Sequence, residues 1–144
     1  MDAETGRNHD FTQRPDKAPN RLKQNTTQLR ILATTDLHMQ LTGYNYLTHR
    51  TMDHHGLAGV ASLIDMARTE AQERRIPCRL VDNGDMLQNP ALGAWLADHP
   101  VTPEHPAAAC LNALKYDAVG IGNHDLDYGL TYLQQIGRIL KMPL

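Results

Sequence analysis

Apolar positions become ordered only after residue 27. Leu29, Ile31 and Ala33 alternate with polar or small neighbours and Leu32 thickens the run. This period of two predicts a strand that starts at Gln28 and stops at Thr34-Thr35-Asp36. Residues 39–56 hold Gly43, Gly56, three histidines and two tyrosines without periodicity, and read as a long loop. A helical period follows: Leu57, Val60, Ala61, Ile64, Ala67 and Ala71 recur at i, i+3, i+4 and i+7, with Glu70, Glu73, Arg74 and Arg75 as the wet face. Pro77 closes that helix, Cys78–Val81 reads as a second strand, and Asn83-Gly84 turns the chain. A weaker helix is expected over Ala91–Ala97. Pro100, Pro103 and Pro106 punctuate a loop, Ala107–Leu114 reads as helix and Ala118–Ile121 as a third strand. Gly122-Asn123 marks another turn. Leu130, Leu133, Gly137 and Leu140 mark a last helix, and Met142-Pro143-Leu144 looks like the start of a further strand. Alternating strands and helices predict an α/β domain, in which ligands gather beyond the carboxyl ends of the strands.

Composition narrows the class. With 144 residues, 41% hydrophobic and 21% charged, the chain can bury one core. No run reaches the roughly 20 apolar residues of a membrane helix. The formal net charge of −2 argues against a broad nucleic-acid-binding surface. Residues 1–30 carry a net +2 and residues 31–144 a net −4. Residues 1–27 are polar and aperiodic and read as a disordered or loosely attached tail, so the folded part is expected to be 28–144. No apolar run follows Met1, so no secretory signal is encoded there and a cytoplasmic location is the default expectation. Cys78 and Cys110 sit inside apolar patterns and read as small buried residues rather than a disulfide.

The strand ends carry one kind of chemistry. Asp36-Leu37-His38 follows the first strand, Asp82-Asn83-Gly84-Asp85 the second and Gly122-Asn123-His124-Asp125 the third. All offer hard oxygen or imidazole donors, and none sets a Ser or Cys nucleophile beside a base. In an extended segment residues i and i+2 point the same way, so Asp36 and His38 can grip one cation. Gly84 frees a tight turn that brings Asp85 to the same point, and Gly122 is expected to do the same for Asn123. The donor set suits Mn, Fe, Zn or Mg rather than a thiolate-bound metal. Two such ions about 3.5–4 Å apart clamp the attacking and leaving oxygens of a phosphoryl displacement. Each motif alone is a common turn or helix cap; three of them at three strand ends point to a metal site. His124 and Asp125 read as an oriented imidazole pair.

The other residues have plainer readings. His9 lies in the tail, and His49, His54, His55, His99 and His105 lie in loops and are expected to face solvent. Tyr44, Tyr46 and Trp95 read as local packing rather than substrate stacking. Met66, Met86 and Leu87 read as core.

Taken in order, the three motifs resemble those of the calcineurin-like metallophosphoesterases. The segments TTDLHMQLTGYNY, GLAGVASLIDMAR, VDNGDMLQNPALG and YDAVGIGNHDLDYGLTYL are similar to the amino-terminal part of the 5'-nucleotidase family, nearest its 2',3'-cyclic-nucleotide 2'-phosphodiesterase/3'-nucleotidase branch. The similarity runs from about Gln28 to Leu144. The resemblance implies an α/β/β/α four-layer sandwich, of which this chain carries the amino-terminal half. It implies a site with two divalent ions (Mn, Zn, Fe, Co or Mg). Asp36 and His38 fall on ligands of the first metal, Asp85 on the bridging carboxylate and Asn123 on a ligand of the second. Asn123 and His124 fall on substrate-binding positions, His124 on the catalytic histidine, and Asp125 is assigned as its orienting partner. The implied reaction is hydrolysis of nucleotide phosphoesters, by in-line attack with no covalent enzyme intermediate. The implied substrates are 2',3'-cyclic nucleotides and 3'-nucleotides.

The family pattern continues with three more metal-binding histidines that do not occur before Leu144. The expectation is therefore an incomplete site, weak metal binding and self-association, unless another polypeptide supplies the second half. No membrane and no nucleic-acid polymer is expected as partner, and the family is usually periplasmic. Three other readings stay open: a general 5'-nucleotidase or a relative acting on a sulfur-containing ester, a non-catalytic metal-binding remnant, and an α/β domain with chance acidic turns.

Overall fold

The computed structural model describes residues 27–53 and 55–144. Residues 1–26 of the expected tail and the readings of His9 and His54 lie outside the described residues. Three strands, β1 (Arg30–Thr34), β4 (Cys78–Asp82) and β5 (Ala118–Val119), form a parallel sheet in the order β1-β4-β5. Between β1 and β4 lie a two-stranded hairpin, β2 (Tyr44–Asn45) with β3 (Arg50–Thr51), and helix α1 (Gly56–Glu73). Between β4 and β5 lie α2 (Leu92–Ala97) and α3 (Pro106–Ala113). After β5 come a 3-10 turn (His124–Leu126) and α4 (Leu130–Ile139).

Parallel register aligns Thr34 with Asp82 and Asp82 with Val119, so all three strands end at one edge. One sheet face carries Leu32, Leu80 and Val119 into a core with Leu57 and Ile64 of α1, Leu111 of α3 and Leu133 and Ile136 of α4. The other face follows from the period of two. Ile31 pairs with Arg79, Ala33 with Val81 and Val81 in turn with Ala118, and Ile31, Ala33 and Arg79 are exposed. Leu29 is 56% exposed and Ile31 62%. This is one layer of helices on one sheet face, and no second sheet covers the other among the described residues.

Several boundaries differ from the sequence expectation. β1 begins at Arg30, because Gln28 and Leu29 have no strand partner in the sheet. The third strand is only Ala118–Val119; its last ladder bond runs from the Gly120 N–H to the Asp82 carbonyl at 2.7 Å. Pro106 is not loop punctuation but the first residue of α3, where its missing N–H costs nothing. α1 stops before Pro77 is reached: Arg75 takes φ 54° and Ile76 donates back to the Ala71 carbonyl. Residues 142–144 form no strand, although the Pro143 carbonyl accepts the Val119 N–H at 2.9 Å. Met66 lies on the outer face of α1 and is 66% exposed, not core; Met86 and Leu87 are buried. Cys78 and Cys110 are both free and partly buried. No helix of the described residues is long and apolar enough to cross a membrane.

Candidate metal centre

The segments after β1 and β4 run on together past the end of the sheet. Asn83 N–H bonds the Thr34 carbonyl, Asp36 N–H the Gly84 carbonyl, His38 N–H the Asp85 carbonyl and Met39 N–H the Met86 carbonyl, at 2.8–3.0 Å. This zipper fixes the two loops against each other before any side chain is considered. Behind it, the buried Asp82 carboxylate accepts the Thr34 hydroxyl at 2.5 Å and the Gly84 N–H at 3.0 Å. Burial pushes the Asp82 carboxyl above its ordinary range.

Asp36, His38 and Asp85 are brought together: one ligating atom from each lies within 4.8 Å of the others. They do not converge as neighbours on an extended strand. Asp36 (φ 53°), His38 (φ 42°) and Asp85 (φ 57°) all occupy the left-handed region. Non-glycine residues rarely adopt it, and strain of this kind gathers at functional sites. Gly84, at φ 106°, supplies the expected turn before Asp85. Gly122 serves differently, for it has no positive φ. A methyl group there would overlap the Asp85 carboxylate, so a side chain is excluded by the close approach of the third strand-end loop.

The donor chemistry fits a divalent cation. His38 Nδ1 lies 3.0 Å from the Gln88 carbonyl, which as acceptor selects the Nδ1–H tautomer. The free Nε2 lone pair then faces Asp36 Oδ1 at 3.8 Å, the arrangement by which outer-shell carbonyls orient ligating imidazoles. Asp36 Oδ2 accepts the Thr35 hydroxyl at 2.5 Å, which leaves Oδ1 to the site.

The third loop closes on this cluster. His124 N–H donates to Asp85 Oδ1 at 2.8 Å, and the His124 ring stands edge-on to His38 with centroids 5.5 Å apart. Asn123, one residue earlier, is exposed. The orienting contact expected of Asp125 is made by Asp127 instead: His124 Nδ1 is 2.9 Å from Asp127 Oδ2. The reason is the 3-10 turn, in which residues i and i+3 share a face and residue i+1 turns away. The bond to Asp127 holds the His124 imidazole above its ordinary pKa. Asp125 points inward and is 1% exposed, on backbone N–H groups of the neighbouring loop. Asp127 is thus the partner of His124 that sequence reading missed; its signal was the His-x-x-Asp spacing, visible only once the turn is known.

Among the remaining residues, His49, His55 and His99 are exposed as expected. His105 is not: it is buried, with Nε2 2.9 Å from the Tyr132 hydroxyl. It stands at the N-cap position of α3 without a side-chain capping bond, and its ring meets Tyr132 of α4. Trp95 is exposed and its ring lies over His99, with centroids 4.2 Å apart. Tyr44 packs edge-on against Tyr46, with centroids 5.1 Å apart.

No family model matches the chain. It is 38% identical over 118 residues to the 2',3'-cyclic-nucleotide 2'-phosphodiesterase/3'-nucleotidase of Haemophilus influenzae, covering 81% of this chain and 17% of that protein. It is 40% identical over 111 residues to the trifunctional nucleotide phosphoesterase protein YfkN of Bacillus subtilis, covering 73% of this chain and 7% of that one. The crystal structure of the calcineurin-like phosphoesterase YfkN superposes with a TM-score of 0.69 at 34% identity, over 80% of this chain and 35% of that structure. The chain therefore spans less than a fifth of the length of these curated relatives.

Proposed function

This chain is related in sequence and in fold to the calcineurin-like phosphoesterases, and from that premise we propose that it serves a metal-dependent hydrolysis of nucleotide phosphoesters. The substrates are 2',3'-cyclic nucleotides and 3'-nucleotides, the classes that the name of the Haemophilus relative carries. The observation that carries the reading is the convergence of Asp36, His38 and Asp85 from two strand ends, with His124 closing over them from a third.

In this reading Asp36, His38 and Asp85 would hold divalent metal, and Asn123 would be a further oxygen donor from this chain. Such ions, when bound, neutralise charge on the phosphoryl oxygens during in-line displacement. The chain's own residues do the rest. Asp127 holds the His124 ring through Nδ1–H and leaves Nε2 to face the substrate. The same bond raises the pKa of His124 and so favours the doubly protonated imidazolium, the form that can donate from Nε2 to a leaving oxygen. Gln88, through its carbonyl, holds His38 in the ligating orientation.

A second reading is favoured by the bare sheet face. In it the chain binds metal but acts only when another polypeptide covers Ile31 and Ala33 and supplies further ligands. One experiment separates the two. Mn²⁺-dependent hydrolysis of bis(p-nitrophenyl) phosphate and of 3'-AMP is measured for the purified chain and for Asp85→Asn. Turnover that falls roughly 10³-fold in the variant, the rate equivalent of several kcal/mol of lost charge stabilisation, supports the hydrolase. Wild type no faster than Asp85→Asn removes catalysis from the isolated chain and leaves the second reading.

A further inference from the structure

We propose that Asp125 is a positioning residue: it holds Asp85 in its ligating conformation through the backbone, and has no contact with imidazole or cation. The inference rests on the metal-site reading of Asp36, His38 and Asp85 given above.

Asp125 Oδ1 accepts the N–H groups of Met86 and Leu87 at 2.8 and 2.9 Å. Asp125 Oδ2 accepts those of Asp85 and Gly122 at 2.8 and 2.9 Å. A carboxylate has about four acceptor sites, and all are filled by backbone donors. No lone pair remains for a metal, and the His124 ring has its partner in Asp127. A buried carboxylate is strongly disfavoured unless hydrogen-bonded, and here four backbone N–H groups meet that need.

Three of the four donors are consecutive amides, 85 to 87. Consecutive N–H groups converge on one anion where the backbone forms a concave nest, one form of which includes a left-handed residue. Asp85, at φ 57°, is that residue. The Asp125 anion and the left-handed turn therefore support one another. Without the anion, three aligned N–H dipoles repel, and Asp85 loses the reason to stay in a conformation that non-glycine residues avoid. The same turn aims the Asp85 carboxylate at Asp36 and His38. The fourth bond, to Gly122, fastens this turn to the loop that carries Asn123 and His124. Asp125 thus joins the second strand end to the third.

The test is Mn²⁺ affinity, read by electron paramagnetic resonance of free Mn²⁺ during titration of wild type, Asp125→Asn and Leu80→Ala. The amide of Asp125→Asn presents a donor to two backbone donors, and the Mn²⁺ dissociation constant is expected to rise roughly 10- to 100-fold, as for outer-shell changes elsewhere. Leu80→Ala weakens the fold from the core and is expected to keep wild-type affinity, so destabilisation alone does not account for the loss. A folded Asp125→Asn with wild-type affinity overturns the proposal while the metal site stands. A wild-type chain that binds no Mn²⁺ overturns the metal-site reading and this inference with it. Should Asp125→Asn fail to fold, hydrogen exchange of the wild-type amides decides. Protection at Asp85, Met86, Leu87 and Gly122 comparable to that of β4 supports the nest, and rapid exchange there overturns it.

Discussion

The His105 imidazole is 4% exposed, its Nε2 is hydrogen-bonded to the Tyr132 hydroxyl and its Nδ1 has no partner among the described residues. Burial pushes its pKa down from 6.5 to about 4. The sign of the consequence follows from linkage. The folded state keeps His105 neutral while the unfolded chain takes up a proton below about 6.5, so the unfolded state gains as pH falls from there toward 4. The chain is expected to lose melting temperature over that window, and His105→Gln is expected to lose less of it, in thermal unfolding followed by circular dichroism at each pH. An equal slope in both proteins would place the acid sensitivity elsewhere. Residues of this kind are hard to read from a sequence. His105 follows Pro103 and precedes Pro106 in a segment that reads as loop, and only the packing of α3 against α4 makes it interior. Asp36, His38 and Asp85 were legible because each follows a strand. Asp127 was not, since a single 3-10 turn leaves no periodicity to detect.

The strands and helices were legible to the extent that they are long and one-sided. α1 shows its buried stripe as Leu57, Ile64 and Ala71. β1 and β4 show theirs as alternation around Leu32 and Leu80. The β2–β3 hairpin escaped because its strands are two residues long, pair only Tyr44 with Thr51 and Asn45 with Arg50, and bury neither face fully. Central strand β4 carries the fold: it pairs with both neighbours and sets Leu80 against the helical layer. Leu80→Ala is therefore expected to cost about 2–5 kcal/mol, measured as a lower midpoint in urea unfolding. A change below about 1 kcal/mol would mean that the helices pack without it.

For the molecule as a whole, the sheet has helices on one face only. Leu29, Ile31 and Ala33 lie bare, and the outer edge of β1 presents unpaired backbone groups among the described residues. Edges and apolar faces of this kind invite pairing with other chains, and a net charge of only −2 does little to oppose it. Concentration-dependent self-association is expected in sedimentation velocity. Ile31→Asp is expected to shift the distribution toward monomer without lowering the melting temperature, because the Ile31 side chain is exposed and lies outside the core cluster of the described residues. An unchanged distribution would clear this face of the association.

The carboxylate of Asp125 sits 40 residues after the turn it holds. During synthesis from the amino terminus, Asp36, His38 and Asp85 leave the ribosome well before residue 125 does. Until then the backbone bonds between the loops after β1 and β4 can form, but the Asp85 turn lacks the anchor proposed for it. If that anchor sets the turn, the order of translation sets an order of assembly: the trio is expected to reach its final geometry only once the loop after β5 has been made and has folded back.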